Sequence, residues 1–406
     1  MRKGRGRLSA AMGFILLMGL VALFSDMTHE GARSVLGAYL GMAGASAAVI
    51  GFISGLGEFV GYSLRLLTGV ITDRTKKYWL LTILGYAVDV LAIPALALVP
   101  ENGWVFACAL VILERAGKAI KKPAKNTLIS FAASQAGAGK GFAIQEFVDQ
   151  IGAFLGPVIL FLVLLVKKDG DLFSAYRLCF LVLGIPALIT LALLFYAKKK
   201  FPHPEDFEKT PDEKVPFRAN AGFWVYIAGI CCLAFGFIDF PLITLHVSRS
   251  ALVQTDALPL LYAGAMVVDA FAALWFGFLF DKRGIRVLML STLLSAGSAA
   301  LIFGFSSLWA TALGIMLWGV GMGAQESVLK SVVNRIVPKN NRAAGFGVFE
   351  TAFGAAWFLG SLLTGALYDV SKPWMIAVSV VMQLAAIPLF YRISRAEDSR
   401  NGAPGR

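Results

Sequence analysis

Apolar and polar positions alternate along this chain on the scale of whole helices, not of single residues. A helix needs ~20 apolar residues to cross a bilayer, and apolar runs near or above that length fall at about 11–40, 46–70, 79–99, 103–124, 141–166, 174–197, 222–246, 255–280, 287–305, 308–334, 343–368 and 373–392. The widest polar interruption, 198–217, carries Lys198, Lys199, Lys200 and His203 among alternating Glu, Asp and Lys. The pattern predicts an all-α polytopic membrane protein with twelve transmembrane helices in two pseudo-symmetric six-helix bundles. The N-terminal bundle is expected over 1–197, a cytoplasmic linker over 198–221, and the C-terminal bundle with a cytoplasmic tail over 222–406.

Composition agrees. Of 406 residues 58% are hydrophobic and 15% charged, against roughly 45–50% and 25% in ordinary soluble domains. A disordered protein is excluded and a soluble enzyme disfavoured. Arg2, Lys3, Arg5 and Arg7 ahead of Leu16 to Phe24 imitate a signal peptide, but no small-residue cleavage site follows, so an uncleaved first span is expected. The net charge of +12 accompanies no basic arm interleaved with exposed aromatics, so no nucleic-acid partner is expected. Lys and Arg instead collect in alternate connections, among them Arg74 with Lys76 and Lys77, Lys121 to Lys140, Lys282 to Arg286 and Arg335 to Arg342. Cytoplasmic loops gather such residues, which places both termini and the linker in the cytoplasm of a multi-pass protein of the cell membrane. Cys108, Cys179, Cys231 and Cys232 lie inside apolar stretches without CxxC spacing, so neither a disulfide framework nor a zinc site is expected.

The halves echo one another. Gly69-Val-Ile-Thr-Asp73-Arg74 closes the second span and Gly277-Phe-Leu-Phe-Asp281-Lys282 the eighth, 208 residues later. Gly141-Phe-Ala-Ile-Gln-Glu146 with Gly156 returns as Gly345-Phe-Gly-Val-Phe-Glu350 with Gly360 at an offset of 204. Internal repeats of this size mark secondary transporters, whose sites lie between the halves.

Gly69-x-x-x-Asp73-Arg74-x-Lys76-Lys77 resembles the cytoplasmic signature of the major facilitator superfamily, with Lys76 where a glycine is usual and Gly284 retained in the second copy. Gly152-x-x-x-Gly156-Pro157 is similar to the start of the motif of that family's drug/proton antiporters, with Leu160 and Phe161 replacing later glycines. Asp26-Met-Thr-His29-Glu30-Gly31 and Glu114-Arg115-Ala-Gly117-Lys118 resemble a prokaryotic branch of these permeases. The resemblance implies a twelve-helix carrier, and a conformational role for Gly69, Asp73, Arg74, Gly277 and Asp281.

A charge at the bilayer centre costs roughly 2.5–3.5 kcal/mol on the insertion scale, so each must face a cavity or a partner. Asp26, His29, Glu30 and Arg33 share one face of span one. They are either a proton-exchanging carboxylate pair with its neighbours, or a closed cluster in which Asp26 pairs with His29 and Glu30 with Arg33. A divalent-metal site of Asp26, His29 and Glu30, with Asp239 or His246, is the sharper alternative; no metal ligand is assigned. Glu58 and Arg65 share a face of span two, and Glu146, Asp149 and Gln150 open span five. Glu58, Glu146, Asp149, Asp239 and Asp269 join Asp26 and Glu30 as proton-coupling candidates; Asp89 and Asp269 are each a coupling group or a buried partner. His29, Arg33, Arg115 and Lys118 are candidates to line the substrate pathway, while Lys121, Lys122 and Lys125 are expected to snorkel to headgroups. The repeat offset sets Lys122 opposite Glu326, a cross-half gate pair with Glu350 near by, or else charges paired within each half. Trp275, Trp318 and Trp357 are expected as packing or interface anchors.

These features point to alternating-access secondary transport of a small solute, coupled to protons, by a monomer in a lipid bilayer. No phosphate-binding glycine loop and no nucleophile and base pair occurs, so neither a cofactor nor an enzyme is expected. Efflux is modestly favoured. Uptake of an organic anion through Arg33, Arg115 and Lys118, and export of a divalent metal, are the alternatives.

Overall fold

The computed structural model describes residues 10–136, 138–167, 170–207, 221–329, 331–333 and 342–401, and among them no strand occurs. The long helices are α1 (Ala10–Met42), α2 (Ala47–Thr75), α3 (Tyr78–Ala95), α4 (Trp104–Ala136), α5 (Ala138–Val166), α6 (Leu172–Lys200), α7 (Ala221–Gly236), α8 (Phe240–Ser250), α9 (Leu258–Arg283), α10 (Arg286–Gly304), α11 (Leu308–Ala324), α12 (Arg342–Val370) and α13 (Lys372–Asn401). The expected all-α polytopic architecture is what the chain adopts. Among the described residues eleven stretches are long and apolar enough to cross a membrane. The 33-residue α4 is not one of them, because Glu114, Arg115, Lys118, Lys121, Lys122 and Lys125 dilute its apolar surface.

A helix suits a spanning chain because it pairs its own backbone N–H and C=O groups, to which hydrocarbon offers nothing. The outer surfaces fit that solvent: Leu98, Val166, Trp309 and Val370 are 75%, 84%, 83% and 82% exposed. Side chains of this size in such number would be an aggregation liability in water. Helix ends follow ordinary rules. Asp171 caps α6 by accepting from the Ser174 N–H at 2.8 Å, and Lys198, Lys199 and Lys200 close its last turn against the helix dipole.

Span seven departs from the single helix expected over 222–246. It is interrupted at Phe237, Ile238 and Asp239, between α7 and α8. Pro241 has no N–H to continue a helical ladder, and the freed carbonyls find side-chain donors. Gly236 accepts from Ser379 Oγ and from Gln383 Nε2 at 3.1 Å, and Ile238 from Trp318 Nε1 at 2.8 Å. Span ten also departs from one regular helix: α11 passes into a π-helical turn over Gln325–Leu329, whose Leu329 carbonyl accepts from the Tyr226 hydroxyl at 2.7 Å.

The chain divides into two compact units. The first comprises Met1–Ala32, Leu64–Val99 and Ala109–Pro211, the second Arg33–Ser63, Pro100–Cys108 and Asp212–Arg406. In the first, Phe14, Met18, Trp79, Tyr86, Leu128 and Leu194 belong to one buried core, with Phe14 set edge-on to Trp79 at 6.1 Å. In the second, α11 lies against α9 and α10, and α7 against α12 and α13, around buried Trp318, Tyr226 and Tyr262.

The repeat seen in the sequence has a backbone counterpart. Lys76 and Gly284, 208 residues apart, both have positive φ, at 54° and 60°. The position usually held by glycine thus keeps a positive φ even where lysine occupies it.

Candidate functional site

The densest group of buried charges lies in the first unit, on α1, α3 and α4, and glycines set it up. A Cβ on Gly85 of α3 would lie 2.5 Å from the Lys121 backbone nitrogen, and one on Gly117 of α4 would lie 2.5 Å from that of Asp89. The two backbones therefore touch twice, and each contact is made four residues before the charged partner on its own helix. On the other side, Gly156 of α5 leaves room for the Met27 carbonyl and Gly31 nitrogen of α1. The antiporter-like glycine pattern thus seats the segment of α1 that carries His29.

His29 stands between two carboxylates. Its Nε2 is 2.9 Å from Asp89 Oδ1 and its Nδ1 is 2.9 Å from Glu114 Oε1, with side-chain exposures of 2%, 0% and 7% for the three residues. Lys121 Nζ pairs with Asp89 Oδ2 and donates to Ser25 Oγ at 2.9 Å, lying 4.0 Å from the centre of the Tyr86 ring. Glu114 is held further by Arg115 Nε at 3.2 Å and Lys118 Nζ at 3.4 Å. Asp26 sits in the field of Lys125, Lys118, His29 and Lys121.

Proton bookkeeping follows from the geometry. Carboxylates only accept, and a neutral imidazole carries one hydrogen. Each ring nitrogen lies 2.9 Å from a carboxylate oxygen without completing a hydrogen bond; hydrogen bonds on both sides would need two hydrogens across the bridge, an imidazolium between two carboxylates or a neutral ring with one carboxyl protonated. The same residues offer metal-ligand atoms within 4.8 Å of one another. The fit to a cation is poor, because Arg115, Lys118 and Lys121 already occupy the carboxylates with three positive charges.

This grouping differs from the one expected along span one. His29 engages Asp89 and Glu114, not Asp26, since a helix face shared with an acid does not compete with acids presented by two packed neighbours. Lys121 is buried at 8% exposure and paired instead of snorkelling. Asp89 turns out to be a central member of the site. The signal that could have revealed it is the matched spacing Gly85-x-x-x-Asp89 and Gly117-x-x-x-Lys121.

The other candidates are more dispersed. Lys125 lies 4.0 Å from Asp149 in the first unit. In the second unit Arg33 lies 4.0 Å from Asp239, Glu58 acts electrostatically on the same carboxylate, and His246 Nδ1 meets the Tyr368 hydroxyl at 3.0 Å. Asp269 is 2% exposed, with its backbone against Gly323. Glu30, Lys122, Glu326 and Glu350 are half-buried, and Arg74 is exposed. A Cβ on Gly277 would meet nothing within 4 Å, and one on Gly69 only Pro123 at 4.0 Å, so packing does not demand either glycine. Asp73, Glu146 and Asp281 are helical, but their side chains lie outside the described residues.

Comparison with known proteins adds the family. The model of the Major Facilitator Superfamily matches residues 6–252 and 238–406. The chain is 36% identical over 391 residues to an uncharacterized protein of Mycobacterium tuberculosis, covering 95% of this chain and 93% of that one. It is 32% identical over 143 residues to the class H tetracycline resistance protein of Pasteurella multocida, covering 34% of this chain and 35% of the relative. Among solved structures, a bacterial homologue of the human lysosomal transporter Spinster, inward-facing and occupied, shares the fold with a TM-score of 0.73 at 16% identity, over 98% of this chain and 100% of the other. The chain belongs to the Major Facilitator Superfamily and is a multi-pass membrane transporter, not an enzyme.

Proposed function

We propose that the protein exports a small organic solute across the cell membrane in exchange for protons, by alternating access of its two halves, 1–197 and 222–406, with both termini and the linker in the cytoplasm. The observation that carries the proton-coupled reading is the His29 bridge, with each ring nitrogen 2.9 Å from a buried carboxylate. Buried ionisable groups in membrane spans are expensive and are functional sites by default.

The bridge links proton occupancy to helix position. Loss of one of its two hydrogens leaves an imidazole lone pair facing a carboxylate, where neither side can donate. An unmade buried hydrogen bond costs about 1–3 kcal/mol, comparable with the roughly 1–3 kcal/mol that couples two sites in allosteric proteins. His29 on α1 must then turn from Asp89 on α3 or from Glu114 on α4. Lys121, Arg115 and Lys118 keep the carboxylates neutralised throughout, so the travelling proton is the variable charge. Export is supported by the similarity to a tetracycline resistance protein over a third of the chain.

The test uses proteoliposomes containing a trapped pH indicator and solutes chosen from a panel by thermal stabilisation of the purified protein. Solute addition should move protons in wild type, whereas His29→Gln should lose proton movement and keep solute counterflow. Equal proton movement in both proteins would refute the assignment.

A further inference from the structure

Tyr86 of α3 is fully buried in the core of the first unit, with Lys121 Nζ 4.0 Å from the centre of its ring. The ring fills the core as a phenylalanine would. Its hydroxyl is different: it is buried too, and among the described residues it completes no hydrogen bond. A buried hydroxyl without a partner weakens a fold, so such groups are few and each needs a reason.

The reason lies in the order of the groups around it. Tyr86 comes three residues before Asp89, on the same face of α3, and Asp26 three residues before His29 on α1. Gly152 and Gly156 of α5 meet the Leu23 and Met27 carbonyls of α1, and a Cβ on Gly19 would lie 3.8 Å from Val148. The two helices therefore run side by side in one direction, and Asp149 sits well before His29 along α1. Helix α4 runs the other way along α3, with Gly117 against Asp89 and Lys121 against Gly85. Lys125 is thus displaced toward the same end, where it lies 4.0 Å from Asp149. From the His29 bridge a series of groups, Asp26 and Tyr86 and then Lys125 and Asp149, descends toward the end at which α1 begins. Exposure rises along it, from 0% for the Asp89 side chain to 21% for that of Asp149. The charges that act on Tyr86 are those of this series: Lys125, Asp149, Asp26 and Asp89.

A hydroxyl both donates and accepts, so it can take a hydrogen on one side and give one on the other without holding a charge. We propose that Tyr86 is a relay that passes protons between the His29 bridge and Asp149. As its oxygen accepts a proton from protonated Asp89, its own hydrogen leaves for the Asp149 carboxylate. One O–H bond forms as another breaks, and the phenol stays neutral. The relay rests on the proton-coupled reading and gives the sealed bridge a route toward the side on which both termini are placed.

The test is a stopped-flow pH jump on the purified full-length protein in detergent, with pyranine reporting protons taken from solution. Wild type should show a phase that His29→Gln abolishes, which identifies it with the bridge. Tyr86→Phe should keep the amplitude of that phase and slow its rate by roughly tenfold or more, since a positioned proton-transfer group typically contributes about 10²–10⁴-fold. The substitution keeps the ring and removes only the hydroxyl, so the unfolding midpoint should not fall. An equal rate in wild type and Tyr86→Phe, a lost amplitude, or a lower midpoint would overturn the relay and leave the bridge standing. Absence of the phase from wild type would overturn bridge and relay together.

Discussion

Lys121 of α4 ends on Asp89 of α3, and each of the two helices reaches the other through a glycine four residues earlier. The pair is buried, so removal of one member strands the other. Lys121→Met or Asp89→Asn alone should each cost about 3–5 kcal/mol. The double variant should lose much less than the two added together. Thermal unfolding of the four proteins in one detergent gives the cycle, and simple additivity would mean that the two charges are not coupled.

The crossing itself is a second test. Gly117→Ala places a methyl group against the Asp89 backbone, and overpacking of this kind costs about 1–3 kcal/mol. Gly277→Ala meets open space and should be neutral or stabilising by up to about 1 kcal/mol, the usual gain of Ala over Gly inside a helix. Unfolding midpoints should separate the two in that order. Equal shifts would contradict the α3–α4 contact.

The positive φ at Lys76 carries strain that its counterpart Gly284 avoids. A left-handed L-residue costs about 1–2 kcal/mol, part of which glycine returns as unfolded-state entropy. Lys76→Gly should therefore raise stability by about 0.5–1 kcal/mol. Gly284→Ala should lower it, since Gly284 combines φ of 60° with ψ of −146°, a region essentially closed to other residues. Stabilisation by the second change would contradict the backbone assignment.

How far the sequence reached depends on which physics was involved. The spans were legible because a bilayer imposes length and apolarity on each run separately, and even α4, with its many charges, was recognisable from its neighbours. The motif position at Lys76 was visible as a departure, but not its conformation, which the surrounding turn imposes. The break at Asp239 is not legible from the apolar run, which reads as one span over 222–246, because it depends on donors from distant segments, Trp318, Ser379 and Gln383. His29, Asp89, Glu114, Arg115 and Lys118 lie within apolar spans and so read as charges needing a cavity or a partner, whereas Lys121 reads as a snorkelling side chain and is in fact buried. Their partners were not legible, because a face of one helix cannot say which neighbour packs against it, and the Gly85 and Gly117 spacing becomes meaningful only when α3 and α4 are seen together.

The central claim is that His29 shares exchangeable protons with Asp89 and Glu114 and that solute binding alters their number. Its most direct test is the count of protons exchanged per solute bound, from calorimetric titrations in buffers of different ionisation enthalpy. Wild type should exchange about one proton per solute, since the bridge can give up one of its two hydrogens, and His29→Gln should bind the solute with none. The same nonzero count in both proteins, or zero in wild type, would contradict the account.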